Sequence, residues 1–121
     1  MINPVQWFEI ATSDLERAKE FYSKVFKLEF QYIEMPDSKM YMFGDPEGKG
    51  SAGALVQSAD ASPSTEGTLV YFNCEDVANE AAMIEEAGGK LLAPKMDIGE
   101  FGFFAVILDS EGNKIGLHSE K

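Results

Sequence analysis

The stretch WFEIATSDLERAKEFYSKVF, residues 7–26, decides the fold of this chain. Its first residues, Trp7 to Ile10, include large side chains suited to a β-strand. Ser13 and Glu16 have the spacing of a capping box, so we expect a helix to begin there. Apolar residues then recur at helical spacing, namely Leu15, Ala18, Tyr22, Val25 and Phe26. A strand and a helix this short cannot bury both of their faces alone, so later parts of the chain must cover them.

The remaining sequence contains further strand signals separated by turn residues. Alternating or apolar segments predict strands over 28–32, 40–43 and 52–56, with a hairpin turn at 45–48. After a linker rich in Ser, Ala, Asp, Pro and Thr, the pattern starts again. The second half predicts a strand over 69–73, a helix from Asp76 that Gly88 and Gly89 close, and strands over 90–93, 102–108 and 114–118.

The two halves are related by an internal duplication. Asp14 and Asp76, which open the two helices, are 62 residues apart, and the Asp-x-Glu-Gly turns at Asp45 and Asp109 are 64 residues apart. Such near-equal offsets indicate a repeat. The sequence therefore predicts an α+β fold with two βαβββ modules in tandem. We expect one domain over 1–121, with module 1 at about 1–57, a linker at about 58–67 and module 2 at about 68–121.

Composition and charge exclude several classes of protein. The 121 residues are 45% hydrophobic and 12% aromatic, which is typical of a globular domain. No apolar run approaches the roughly 20 residues of a membrane span. The net charge of -11 opposes binding to nucleic acid and to anionic membranes. Cys74 is the only cysteine, and the first residues lack a secretory signal, so we expect no disulfide and a cytoplasmic location.

Four segments resemble the vicinal oxygen chelate superfamily, which includes glyoxalase I, bleomycin-resistance proteins, fosfomycin-resistance proteins and extradiol dioxygenases. They are FEIATSDLERAKEFY at 8–22, YFNCEDV at 71–77, EAGG at 86–89 and DSEGNKI at 109–115. The resemblance implies two βαβββ modules whose sheets curve around a cleft, usually completed by a second subunit.

The resemblance also implies positions for a metal site. In metal-using members the ligands lie on the first and last strand of each module, and the matching positions here are Trp7, Ala54, Leu69 and Gly116. None of these side chains offers the oxygen or imidazole donor that a divalent cation prefers. We therefore expect no metal and no cofactor at this site. Without a Lewis acid to stabilise an enediolate, lactoylglutathione formation is disfavoured.

The same strand alternation directs other side chains into the predicted cleft. Glu9, Tyr71 and His118 lie two residues from Trp7, Leu69 and Gly116, so we expect them to line the cleft. Met42, Phe101 and Phe103 are further candidate walls, with ordinary core packing as the alternative. Glu9 and His118 are the candidate general bases; the alternatives are a solvated carboxylate and an exposed or singly hydrogen-bonded histidine.

The loop predicted over 94–102 is either a lid over the cleft or a static connection. We expect Cys74 to be a small buried residue, since no basic neighbour in sequence lowers its pKa.

Three functions remain open at this point. The first is binding of a small, partly aromatic or cationic molecule, which the acidic charge favours. The alternative is a lyase or isomerase of glyoxalase type that acts on a small carbonyl compound, with Glu9 or His118 as the base. The third is an interaction module within a larger system.

The sequence also predicts a twofold homodimer. Met40, Tyr41, Met42 and Phe43 offer more apolar surface than one face of a short strand needs, and an exposed apolar patch usually marks an interface. The alternative is a monomer in which Tyr41 and Phe43 fill the core beneath the first helix.

Overall fold

The protein consists of two four-stranded β-sheets with few helices; this computed structural model describes residues 2–121. The first half contains β1 (Trp7–Ala11), α1 (Leu15–Phe26), β2 (Phe30–Met35), β3 (Ser38–Phe43) and β4 (Ala52–Ser58). The second half contains β5 (Val70–Asn73), α2 (Val77–Ala81), β6 (Lys90–Asp97), a 3-10 turn (Gly99–Phe101), β7 (Phe103–Leu108) and β8 (Lys114–Ser119).

Both sheets have the same topology. Their strand orders are β1-β4-β3-β2 and β5-β8-β7-β6. In each sheet the first and last strands in sequence pair in parallel, and the other neighbours pair antiparallel. Because the second half repeats the connections of the first, the predicted α+β fold of two tandem βαβββ modules is confirmed.

Helix α1 begins one residue later than the predicted capping box requires. Asp14 is the N-cap, with φ of −135°, and its carboxylate accepts a hydrogen bond from the Arg17 amide at 3.1 Å. Glu16 instead accepts a hydrogen bond from the Tyr41 hydroxyl at 2.6 Å. The predicted reciprocal pairing of Ser13 with Glu16 is therefore wrong, because the Asp14 carboxylate reaches the free amide of the first turn.

One apolar core lies between α1 and the two sheets. Phe72 of β5 stacks on Phe26 of α1, with the ring centroids 4.4 Å apart, and also lies 5.7 Å from the Tyr22 ring. Phe21 and Tyr22 are fully buried. The same cluster includes residues of both sheets, among them Ile10, Phe43, Leu55, Ala105, Ile107 and Leu117. The first helix therefore packs against both halves of the chain.

The second helix is shorter than predicted. α2 ends at Ala81, and turns continue to Gly88, where the Met83 amide donates to the Glu80 carbonyl only three residues back. Val77 and Ile84 are nevertheless fully buried, as the predicted apolar face requires. The pattern identified buried positions but not the length of the helix, since tightened turns present Ile84 to the core equally well.

Strand β3 does not present the exposed apolar patch on which the dimer prediction was based. Met40, Tyr41 and Phe43 are each less than 10% exposed, at 8%, 9% and 6%. Tyr41 and Phe43 belong to the core beneath α1, as the monomer alternative expected. The argument from this patch is therefore wrong, and the homodimer stays a prediction that needs another basis.

Within residues 2–121, the structure contains no helix with the length and apolarity needed to cross a membrane.

Candidate functional site on the two helix-free faces

Each sheet has one face packed on the shared core and one face that no helix covers. On the first sheet, Phe8 and Ile10 of β1 pack toward the core, so Trp7 and Glu9 point to the opposite side. The strand register extends that side across the sheet. We call it the first helix-free face; it contains Trp7, Glu9, Ile33, Met40, Met42, Ala54 and Val56.

Trp7 and Glu9 form the polar and aromatic part of the first helix-free face. The Trp7 side chain is 38% exposed, and its indole N–H donates a hydrogen bond to Glu9 Oε2 at 3.3 Å. Glu9 lies opposite Ala54, which lies opposite Met42. The carboxylate therefore sits beside an exposed aromatic ring and small or flexible apolar side chains, an arrangement suited to an amine or a polarised aromatic molecule.

The second helix-free face is built in the same way. Ile115 and Leu117 of β8 are buried in the core, so Gly116 and His118 between and after them point to the opposite side. The register places Val106 and Tyr71 beside Gly116, and Phe104 beside His118. We define this face by Tyr71, Met96, Phe104, Val106, Gly116 and His118.

Gly116 is the point at which the Tyr71 ring reaches the sheet. A Cβ at Gly116 would lie 2.5, 2.6 and 2.9 Å from three atoms of that ring, so no larger residue fits without moving it. The Tyr71 side chain is 48% exposed. The ring thus packs on the Gly116 backbone and still exposes part of its surface to a ligand.

His118 is tied to the connection between β6 and β7. Its Nε2 lies 2.6 Å from the Phe101 carbonyl oxygen. The same turn is closed by a hydrogen bond from the Ile98 amide to the Gly102 carbonyl at 2.9 Å, while the Phe101 side chain is 70% exposed. β6 extends to Asp97, so only residues 98–102 form a loop. These contacts favour the static connection over the lid.

Two of the predicted cleft walls, the Phe103 and Phe101 rings, do not lie on the second helix-free face. Phe103 is opposite Ser119, which is buried on the core side, and Lys95 Nζ lies 4.5 Å from the Phe103 ring centroid. The prediction that Phe103 lines the cleft is therefore wrong. Leu69 is 36% exposed and precedes β5 by one residue. The Phe101 side chain lies on the turn and contributes its carbonyl rather than its ring.

Phe104 and Val106 were missed by the sequence analysis. A signal for them was present, because the turn at 109–112 fixes the register of the last hairpin. Counting outward from that turn pairs Gly116 with Val106 and His118 with Phe104. Phe103 and Phe104 are both aromatic, so only the register distinguishes the one that shares a face with His118.

Within residues 2–121, no hydrogen bond or aromatic contact joins Trp7 or Glu9 to Tyr71 or His118. The two candidate bases belong to different sheets. In one chain the predicted cleft residues therefore form two separate groups rather than one connected site.

The positions that correspond to metal ligands in the family do not fit a cation. They hold Trp7, Ala54, Leu69 and Gly116, and Gly116 is covered by the Tyr71 ring. Across residues 2–121, no three His, Cys, Asp or Glu side chains are grouped so that they would hold a metal ion. A tetrahedral or octahedral cation needs several such donors at once, so these residues offer it no first coordination sphere.

Cys74 is half-buried and directly follows Asn73, the last residue of β5. Burial, together with the nearby Glu80 carboxylate, raises the pKa of its thiol to about 12. The thiol is therefore protonated at neutral pH and is a poor nucleophile.

Two surface cavities lie away from both helix-free faces, at the start of α1. Their volumes are about 520 Å³ and 360 Å³, and they share Lys39 and Gln57. The helix amides that an anion would use here are already paired, because Ser13 and Asp14 donate to Glu111, and Leu15 donates to Gln57. These three amides are therefore not available to an anion.

Comparison with known families agrees with this architecture. The model of the Glyoxalase/Bleomycin resistance protein/Dioxygenase superfamily matches residues 4–117. The chain belongs to this superfamily.

Individual relatives include enzymes and binding proteins. A glyoxylase-like domain-containing protein of Didymella fabae is 31% identical over 116 residues, which cover 90% of this chain and 88% of that protein. Glyoxalase I from Zea mays superposes with a TM-score of 0.77 at 22% identity, but this chain spans only 46% of its length. TnmS3, an antibiotic binding protein from Streptomyces sp. CB03234, superposes with a TM-score of 0.73 at 26% identity, with 99% and 98% of the two chains covered.

Proposed function

We propose that this protein binds a small, partly aromatic or cationic molecule on its helix-free faces and does so without a metal ion. The observation that carries the proposal is that each face holds an exposed aromatic ring with a polar group on the same surface. Trp7 lies against the Glu9 carboxylate, and Tyr71 lies on the face that also holds His118. Sites for small molecules combine apolar walls with a few polar points in this way.

Charge supports a neutral or cationic ligand over an anionic one. The chain carries a net charge of -11, and its only arginine, Arg17, is engaged by Glu111 through two hydrogen bonds of 2.7 and 3.0 Å. Within residues 2–121, therefore, no unpaired guanidinium is present that could bind a ligand carboxylate or phosphate. The Glu9 carboxylate remains available to pair with an amine.

One similar protein supports the binding of a small organic molecule. TnmS3 is named as an antibiotic binding protein and matches this chain over nearly its whole length. We propose for this chain only that it binds a small organic molecule. We do not propose the same antibiotic, because the pocket residues alone do not identify a ligand.

A second copy of the chain would complete the site. The first and second helix-free faces are both partly exposed, with Trp7 at 38% and Tyr71 at 48%. A twofold dimer that sets the first face of one copy against the second face of the other would enclose a ligand between them. Light scattering at low micromolar concentration tests this: a mass near twice 13.3 kDa supports the dimer, and a mass near 13.3 kDa refutes it.

Thermal-shift measurements with amines and aromatic drugs test binding. A ligand at 100 times its Kd stabilises the folded state by about 2.7 kcal/mol, which raises the melting temperature by several degrees. Tyr71→Ala should abolish the shift. Tyr32→Ala is the matched control, because Tyr32 is also exposed, at 45%, but pairs with Tyr41 on the helix side of the first sheet. No shift with any compound, or equal loss in both variants, would refute the proposal.

The glyoxalase-type lyase is the alternative, with methylglyoxal and glutathione as the first substrates to test. A single general base typically contributes a factor of about 10²–10⁴, so turnover without a metal should be slow. If metal ions stimulate turnover and Glu9→Gln abolishes it, the lyase function is favoured over the binding function.

A further inference from the structure

We propose that Nδ1 of His118 is the hydrogen-bond acceptor of the second helix-free face, and that it selects ligands carrying an N–H or O–H donor next to an aromatic ring. This inference rests on the proposed binding function and names the recognition chemistry of one of its two faces.

The contact with Phe101 fixes which ring nitrogen carries the proton. The Phe101 carbonyl oxygen has no hydrogen, so a separation of 2.6 Å from His118 Nε2 is a hydrogen bond only if Nε2 is the donor. A neutral imidazole has one protonated and one unprotonated nitrogen. In the neutral ring Nδ1 therefore holds the lone pair.

Nδ1 has no hydrogen-bond partner among residues 2–121, since the only bond of the His118 ring is the one from Nε2. The turn at 98–102 lies against β8 at Gly102, next to the Phe101 carbonyl that His118 contacts. A Cβ at Gly102 would come 2.4 Å from the Ser119 carbonyl oxygen, and its φ of +97° also favours glycine. The turn thus keeps the acceptor nitrogen turned away from Phe101.

The surroundings of the ring define the ligand. His118 is opposite Phe104, and two residues away the Tyr71 ring covers Gly116. An aromatic ligand that lies along this surface would bring a substituent within reach of Nδ1. A compound that offers only acceptors there would leave the Nδ1 lone pair without a hydrogen bond and facing another lone pair. When water is excluded, this lowers the affinity.

Tautomer measurement tests the assignment directly. The chain contains one histidine, so two-bond proton–nitrogen correlation spectra of nitrogen-15-labelled protein show a single imidazole. With the ring neutral, we expect a protonated Nε2 and an unprotonated Nδ1. A predominant Nδ1–H form, or an equal mixture, would overturn the inference without involving any ligand.

Indole and 1-methylindole test the donor requirement, because they differ by one N–H. Indole should bind about three- to tenfold more tightly and should shift the Nδ1 resonance. In His118→Phe the difference between the two compounds should vanish, while the ring of the new side chain keeps the aromatic surface.

The outcomes separate the two proposals. Equal affinity of both compounds for the wild-type protein overturns the role of Nδ1 but leaves the binding function standing. If neither compound shifts any resonance up to its solubility limit, the role of Nδ1 in selecting aromatic donors is overturned, whereas the thermal-shift screen with amines and aromatic drugs decides the binding function.

Discussion

The turns at 45–48 and 109–112 have the same sequence pattern and the same local hydrogen bonds, yet they differ in their hydrogen bonds to the rest of the chain. The Asp45 carboxylate accepts a bond from the Glu47 amide at 2.9 Å, and the Asp109 carboxylate accepts one from the Glu111 amide at 2.8 Å. In both, the glycine amide donates to the aspartate carbonyl. The first turn ends there, exposed to solvent.

The second turn makes further bonds to the first half of the chain. Asp109 is 3% exposed and accepts a hydrogen bond from the Tyr22 hydroxyl at 2.6 Å. Asn113 donates from Nδ2 to the Ala11 carbonyl at 2.7 Å. Glu111 accepts from the Ser13 and Asp14 amides at 2.8 Å each and forms a two-point ion pair with Arg17. We call Asp109, Glu111 and Asn113 with these bonds the interlock.

The duplication explains why only one turn forms an interlock. The residue 62 positions after Tyr22 is Ile84, which has no hydroxyl, and the residue 62 positions after Arg17 is Asn79, which has no charge. The second helix therefore offers the first turn no equivalent partners. A local pattern specifies the turn itself, whereas its tertiary role depends on residues elsewhere in the chain.

Asp109→Ala should have the largest effect. It removes the acceptor of the Tyr22 hydroxyl and of the Asn113 backbone amide, and because both residues are buried, these two donors are left without partners. We expect a loss of about 3 kcal/mol or more in the free energy of unfolding, measured by urea denaturation. Asp45→Ala is the matched control and should cost no more than about 1 kcal/mol. Equal losses would show that the two turns do not differ.

Glu111→Gln should have an intermediate effect. The amide keeps one acceptor oxygen but loses the charge that pairs with Arg17 and with the first amides of α1. We expect a loss of about 1–3 kcal/mol in the same urea experiment. Glu47→Gln, at the equivalent position of the exposed turn, should stay within about 0.5 kcal/mol.

The pH dependence of stability should reveal the charge on Glu111. Burial alone would raise the pKa of this carboxyl, but hydrogen bonds from Arg17 and from the Asp14 and Ser13 amides outweigh it and lower the pKa. The stabilisation from a lowered pKa is complete above the unfolded value of roughly 4.3 and is lost as the pH falls through the folded value. The difference in unfolding free energy between wild type and Glu111→Gln should therefore shrink on acidification below about pH 4. A constant difference from pH 7 to pH 3 would contradict this.

Lys49→Asn should have the smallest effect. It gives the exposed turn the asparagine that follows Gly112 in the interlock, so the two turns then match at this position as well. Because residue 49 is exposed to solvent in this turn, stability should change by less than about 0.5 kcal/mol. A clear stabilisation would mean that the asparagine stabilises such a turn by itself, without the contacts that the interlock makes to the first half of the chain.

Much of the fold was readable from short-range patterns. The apolar spacing of α1 identified Leu15, Ala18, Tyr22 and Val25, all of which are buried, and the repeated turns identified the two modules. The interlock was not predicted, because its partners lie 87 to 102 positions apart in sequence. Phe103 was named as a candidate wall, with core packing as the alternative, without use of the hairpin register that places it opposite Ser119.

The candidate site was readable only in part for the same reason. Strand alternation correctly grouped Trp7 with Glu9, and Gly116 with His118. It did not indicate that the Phe101 backbone, rather than its ring, meets His118, since main-chain contacts leave no trace in side-chain patterns.

The interlock has a consequence for synthesis of the chain. The amides at the start of α1 receive their acceptor from Glu111, 97 and 98 residues later, so a nascent chain exposes an incompletely capped first helix until the final hairpin has left the ribosome. The first half should then remain only partly protected and finish folding together with the second. Hydrogen exchange on a chain stalled before Asp109 would show unprotected amides at Ser13 and Asp14, whereas the released chain would protect them.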